Sequence, residues 1–177
     1  MPDDGEEDAI AAAVEAGTDG IEVPTAFLEE TDEKQVTPEI RSLYAQISNM
    51  SMAEKIKLAL RGNKEARNLL VRDGNKIVRR FVLKNPRMTD TEVVAVTRNR
   101  SADDEMLRMI SEKREWNRNY QIRLGLVTNP KTPMVVSMRV LGTLGERDLR
   151  AIAKSRNVPQ AVAVQARRLL TATKKEP

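Results

Sequence analysis

The residues best placed to do chemistry in this chain are arginines and lysines. Arg108 and Arg150 stand 42 residues apart, and so do Arg114 and Arg156. Guanidinium groups present paired N–H donors that match carboxylates and phosphates, so a row of them at a structural period would receive an acidic ligand. Lys113, Arg147 and Lys154 lie beside these four, and Trp116 follows closely. Arg108, Lys113, Arg114, Trp116, Arg147, Arg150, Lys154 and Arg156 are therefore expected to form a partner-binding face. Two plainer roles compete with this one. The cations could be solvated faces with local ion pairs, or Arg114 and Arg156 could satisfy carbonyls at helix ends. Trp116, Tyr120 and Phe81 could stack on nucleobases, but single aromatics at helical spacing more often belong to a core.

Much other chemistry is excluded by composition. The 177 residues contain no Cys and no His, which removes thiolate nucleophiles, imidazole bases, disulfides and the usual zinc ligand sets. The eight glycines are isolated, and none precedes a Lys-Ser/Thr pair, so no phosphate loop is expected. Asp103, Asp104 and Glu105 could suggest a metal site, but their place after Ser101 fits a helix start, where the dipole favours acids. No catalytic residue, cofactor or metal is expected.

Charge divides the chain unevenly. Residues 1 to 35 hold twelve acids and one base, a net of −11, which leaves +15 on the rest of a chain whose total is +4. Acids, Gly and small residues dominate this segment, and its apolar content is too low to offset the entropy of ordering it. A disordered acidic tail over residues 1–36 is expected, interrupted by two apolar islands, Ala9 to Val14 and Val23 to Leu28, either of which could be a transient helix or a docking motif. The opening Met1-Pro2-Asp3-Asp4 does not read as a signal peptide, and no apolar run approaches a membrane span. A cytoplasmic, non-membrane protein is expected.

The elements that must position the basic residues read as helices. Thr37-Pro38 is a cap followed by Pro at the first helical position, and Ile40, Leu43, Tyr44 and Ile47 recur at helical spacing. This gives an amphipathic lead-in helix over 37–50. A basic helical domain follows over 51–174. Ser51 with Glu54, and Thr89 with Glu92, form capping boxes, while Asn63 and Asn75 read as further N-caps. Asn85-Pro86 and Asn129-Pro130 read as stops. Val93, Val94 and Val96 are weak helix formers, yet caps and length favour helix there over a strand. Further helices are expected at about 116–128, 133–143, 146–155 and 159–171. Leu124, Leu126, Val127, Val135, Val136, Met138, Val140, Leu141 and Leu144 are assigned to the core.

The chain also repeats itself. Leu107-Arg108-Met109-Ile110 recurs as Leu149-Arg150-Ala151-Ile152, while the Asn-Pro stops lie 44 apart, so the period is about 42 with drift. Units of this size that cannot bury their own apolar faces are what stacked solenoids are made of. On these residues the chain resembles the armadillo/HEAT-like α-helical repeat superfamily over roughly residues 51–171. It is also similar to an uncharacterised bacterial helical-repeat group with runs such as Ala53-Glu54-Lys55-Ile56-Lys57-Leu58 and Asn129-Pro130-Lys131-Thr132-Pro133. The resemblance implies an all-α, right-handed solenoid. Armadillo domains that clamp extended peptides carry an Asn ladder with Trp on the third helix of each unit, whereas the corresponding stretches here, about 103–113 and 146–155, carry Arg and Lys.

Two functions compete. The first is a non-catalytic adaptor whose basic helical surface receives an acidic protein segment, with the acidic tail competing for the same face. The second is binding to the backbone of duplex nucleic acid, which would be strongly salt-dependent. Glu112, Glu115, Glu146 and Asp148 interrupt the basic stripe, which favours the adaptor. No small-molecule substrate is indicated.

Overall fold

A computed structural model describes residues 4–30 and 38–173. Among the described residues there is no strand. The helices are α1 (Asp4–Ala16), α2 (Pro38–Asn49), α3 (Met52–Arg61), α4 (Lys64–Leu70), α5 (Lys76–Val82), α6 (Asp90–Arg98), α7 (Asp104–Glu112), α8 (Arg114–Arg118), α9 (Tyr120–Thr128), α10 (Met134–Leu141), α11 (Glu146–Lys154) and α12 (Gln160–Thr173), with a 3-10 turn at Thr25–Phe27. None is long and apolar enough to cross a membrane. The chain divides into two compact units, Met1–Met88 and Thr89–Pro177.

Local capping sets most of the boundaries. Both expected capping boxes are formed: Ser51 accepts from the Glu54 N–H and Thr89 from the Glu92 N–H, and each Glu returns to its cap's backbone N–H. Asn63 and Asn75 cap α4 and α5. The valine-rich stretch is helical, as α6. Asp103 rather than Ser101 caps α7, accepting from the Met106 N–H. The helix expected over 116–128 is broken in two, because Asn119 leaves helical geometry and turns its side chain to the Gln121 N–H as the cap of α9. The cap expected at Thr37, with residues 1–3, 31–36 and 174, lies outside the described residues.

In unit 1, α3 packs between α1 and α5, and α4 lies against both α3 and α5. The expectation of disorder over residues 1–36 does not hold for residues 4–30. Both apolar islands are used: Ala11 and Val14 of α1 and Phe27 of the 3-10 turn join Ile56, Ala59, Leu60 and Phe81 in one core. Burying Phe27 alone is worth roughly 1.5–3 kcal/mol. Polar groups hold the rest of the segment. Arg61 donates from Nη2 to the carbonyls of Val14 and Glu15 at 3.2 and 2.9 Å, where α1 ends. Lys57 Nζ meets Asp19 Oδ1 at 2.7 Å and the Ile21 carbonyl at 2.6 Å. Arg67, only 2% exposed, pairs with Glu30 at 2.8 Å, and Arg80 pairs with Asp8 at 3.0 Å. Asn63 Nδ2 donates to Ala26 and Glu29. A low average apolar content proved compatible with order because a few well-placed apolar residues and many cation-to-carbonyl bonds act together.

In unit 2, α9 packs against α6 on one side and α10 on the other, α12 covers α10 and α11, and α8 joins α7 to α9. The α6–α9 crossing is close. A Cβ built on Gly125 would lie 2.1 Å from Thr97 Oγ1, so glycine at this position lets the two helices meet. Val127, Val136, Val140, Leu141, Leu144, Ile152, Val162 and Ala166 form the core of α9 to α12. Val135, assigned to the core from sequence, is 81% exposed. The inward face of α10 is set by Val136, Ser137, Val140 and Leu141, and Val135 falls outside it.

One device occurs in both units. Asn85 is buried at the end of the α5 segment, its Nδ2 donating to Ala59 and Gly62 carbonyls at 2.9 and 3.2 Å while its Oδ1 accepts from the Arg87 N–H. Asn129 is buried after α9, its Nδ2 donating to Thr97 and Asn99 carbonyls at 2.8 and 2.9 Å while its Oδ1 accepts from the Lys131 N–H. In each case the Asn-Pro corner ties the end of one helix to the end of the capping-box helix before it. These carbonyls would otherwise be orphaned at a buried helix end, so the asparagines do more than stop a helix.

Candidate functional site: an arginine-lined cleft in the second unit

The short helix α8 begins where the capping residue Lys113 breaks from α7, and it presents Arg114 and Arg118 one turn apart on one face. Trp116 between them points inward and is 5% exposed. Lys113 Nζ lies 4.0 Å from its ring centroid, so the indole anchors α8 and is closed to an incoming base. Asn117 Nδ2 donates to the Ser111 and Lys113 carbonyls at 2.6 and 2.9 Å, fixing the corner between α7 and α8.

Arg114 and Arg118 form one wall of a cleft of about 650 Å³, whose other lining residues are Ser111, Glu112, Asn117, Arg123, Arg139, Val140 and Thr143. Four guanidinium groups thus face one space with a single carboxylate. Arg139 on α10 is held by Ser111, donating from Nη2 to its carbonyl and hydroxyl oxygens at 3.3 and 3.1 Å. Arg123 on α9 donates from Nη1 to the Thr143 carbonyl at 3.3 Å and lies 5.2 Å from the centroid of the Tyr120 ring. Its Nε–H is buried without a hydrogen-bond partner, a costly state for a charged donor. Arg114 and Arg118 are exposed and, among the described residues, have no ion-pair partner.

The hydroxyl groups at the cleft are already engaged. Ser111 Oγ donates to the Arg108 carbonyl at 2.7 Å and Thr143 Oγ1 to the Val140 carbonyl at 2.7 Å. Below Arg123, the Tyr120 hydroxyl donates to Asp148 Oδ2 and accepts from the Gly145 N–H at 3.1 Å. The Asp148 hydrogen bond raises the Tyr120 phenol above its ordinary value of 10.0. The arrangement offers N–H donors to an anion. Among the described residues no group of acids is arranged to hold a metal.

No family model, curated protein or solved structure matches this chain.

Of the eight residues expected to form the binding face, Arg114 alone lines the cleft. Lys113 and Trp116 are brought together beneath α8. Arg108 lies 3.9 Å from Glu112 and Arg150 binds Glu146, each one turn away on its own helix. Exposed pairs of this kind contribute little. Arg147, Lys154 and Arg156 are exposed and line no part of the cleft. Arg118, Arg123 and Arg139, with Ser111 and Asn117, line the cleft without being among the residues expected at the binding face. The i, i+4 spacing of Arg114 and Arg118 was a usable signal. So was Arg139, the single charge in the mostly apolar run of α10.

Proposed function

We propose that the protein is a non-catalytic binding module that presents a basic helical surface to an acidic segment of another protein. The cleft carries this reading: four arginines converge with one acid among them, two held in place by backbone carbonyls and two without an ion-pair partner among the described residues. Such a set of donors exceeds what the fold needs and suits a carboxylate- or phosphate-bearing ligand. Unit 1 supplies a precedent within the chain, since Lys57, Arg61, Arg67 and Arg80 already receive an acidic segment, residues 4–30. The recurrence of a capping-box helix tied to an Asn-Pro corner supports the finer architectural reading, a right-handed helical-repeat solenoid of the armadillo/HEAT kind. A cytoplasmic location accords with the absence of cysteine.

Binding to duplex backbone is the competing reading. It calls for an extended basic track, whereas Glu112 lines the cleft and the nearby aromatics are engaged. Trp116, the only tryptophan, sits on the helix that carries Arg114 and Arg118 and serves as a reporter. Titration of the full chain with a short oligoglutamate peptide is expected to change its fluorescence saturably. The double charge reversal R114E/R118E should abolish the response without altering the melting temperature, because both side chains are exposed. An unchanged response in that variant would sink the proposal. Tighter binding of a random-sequence duplex, falling steeply with salt, would replace it with the nucleic-acid reading.

A further inference from the structure

We propose that the arginine cleft of unit 2 selects a phosphomonoester dianion, carried on a phosphorylated serine or threonine of the partner segment. The inference rests on the acidic-partner reading and narrows its ligand.

Charge argues first. Arg114, Arg118, Arg123 and Arg139 against Glu112 leave a local excess of three positive charges. One carboxylate would neutralise one of these. A phosphoryl group concentrates about −1.5 to −2 charge and three acceptor oxygens at a single point, and so engages several guanidinium forks at once.

Geometry argues second. Arg139 and Arg123 are tethered to Ser111 and Thr143, so their remaining N–H groups are ordered before a ligand arrives and little side-chain freedom is lost on binding. Arg114 and Arg118 add their guanidinium groups to the same cleft from α8.

The class of carrier follows from what the cleft omits. A nucleotide would call for an aromatic face, yet Trp116 lies buried under Lys113, and Tyr120 is bound to Asp148 and covered by Arg123. The volume of about 650 Å³ far exceeds a free phosphate ion and suits a short peptide segment. Glu112 in the lining disfavours a continuous polyanion.

The test uses the full chain and three peptides of one neutral sequence, with a central phosphoserine, serine or glutamate, each followed by calorimetry. The phosphoserine peptide is expected to bind at least tenfold more tightly than the glutamate peptide. Its affinity should rise with pH through about 6, where the phosphate takes its second charge, while the glutamate peptide shows no such rise. In R114K/R118K the charge is kept and the planar forks are lost, so the preference for phosphoserine should collapse towards parity with the fold intact. Equal binding of both acidic peptides would overturn the dianion inference while leaving the acidic-partner reading standing. If neither peptide bound, the inference would be lost, and the oligoglutamate titration would decide the broader reading separately. Inorganic phosphate binding as tightly as the phosphopeptide would point instead to a free anion, and displacement of the phosphopeptide by duplex with no pH dependence near 6 to a phosphodiester. Either result would overturn the protein-borne assignment.

Discussion

Tyr120 and Asp148 are joined by a hydrogen bond from the phenol to the carboxylate, and the same phenol oxygen accepts the Gly145 N–H that opens α11. One side chain of α9 therefore sets where α11 begins. The chain has two tyrosines, so in Tyr44→Phe ultraviolet difference spectroscopy follows Tyr120 alone. Tyr120 should ionise above the ordinary phenol value of 10.0, because its phenolate would face the Asp148 carboxylate. Asp148→Asn should lower its midpoint. Since the folded value is raised, the contribution of this bond is complete below pH 10 and fades as pH climbs through the raised value. Tyr120→Phe should cost about 1–2 kcal/mol in a denaturant melt. A Tyr120 midpoint left unmoved by Asp148→Asn would refute the assignment.

Residues 4–30 should respond to acid. The Lys57 hydrogen bond holds the Asp19 carboxyl below the ordinary 3.8. For Glu30, burial acts upward, but the Arg67 hydrogen bond and charge outweigh it, and the net position lies below 4.5. Both values are depressed on folding, so their contribution is complete above the ordinary carboxylate range and is lost as pH falls through the lowered values. Melting temperature should be level near neutrality and decline below about pH 4. Asp19→Asn and Glu30→Gln should each lower the neutral plateau and flatten the acid limb, Glu30→Gln by about 1–3 kcal/mol because Arg67 is buried. Removing residues 1–30 should destabilise unit 1 far more, by exposing the core that Phe27 and Val14 fill. A truncated chain that melted like the parent would contradict this account.

Asn85 and Asn129 each satisfy two carbonyls at buried helix ends. Replacement by alanine should cost about 1–3 kcal/mol at either site, and replacement by aspartate more, since a carboxylate would face the same carbonyl oxygens. Equilibrium unfolding in urea would measure both. A loss at one site with none at the other would show that the two corners are not equivalent.

Much of the helical layout was legible because capping is local. Ser51 with Glu54 and Thr89 with Glu92 announce helix starts within four residues, and the Asn-Pro pairs mark the period. What was hidden depends on long-range packing. Lys57 meets Asp19 38 positions away in the chain and Arg61 reaches Val14 47 positions away, so segment composition alone reads residues 1–36 as a tail. The cleft was hidden for a similar reason. Arg139 lies in a run that reads as core, and it meets Arg123 and the arginines of α8 only because α9 packs against both α8 and α10. Sequence period drew attention instead to Arg108 and Arg150, whose partners are acids on their own helices.

The distance from capping box to Asn-Pro corner is six residues greater in the second instance, Thr89 to Asn129, than in the first, Ser51 to Asn85. The excess is taken up in the intervening stretch, where unit 1 has α4 and unit 2 has α7 and α8. Both anchors keep the same hydrogen bonds despite this difference, so the stretch between them is free to change length without disturbing either. Arg114 and Arg118 belong to that exchangeable stretch. Recognition and foldedness are thereby inherited separately: an insert could be swapped for one with other side chains, giving a descendant with new ligand preferences on an unaltered frame.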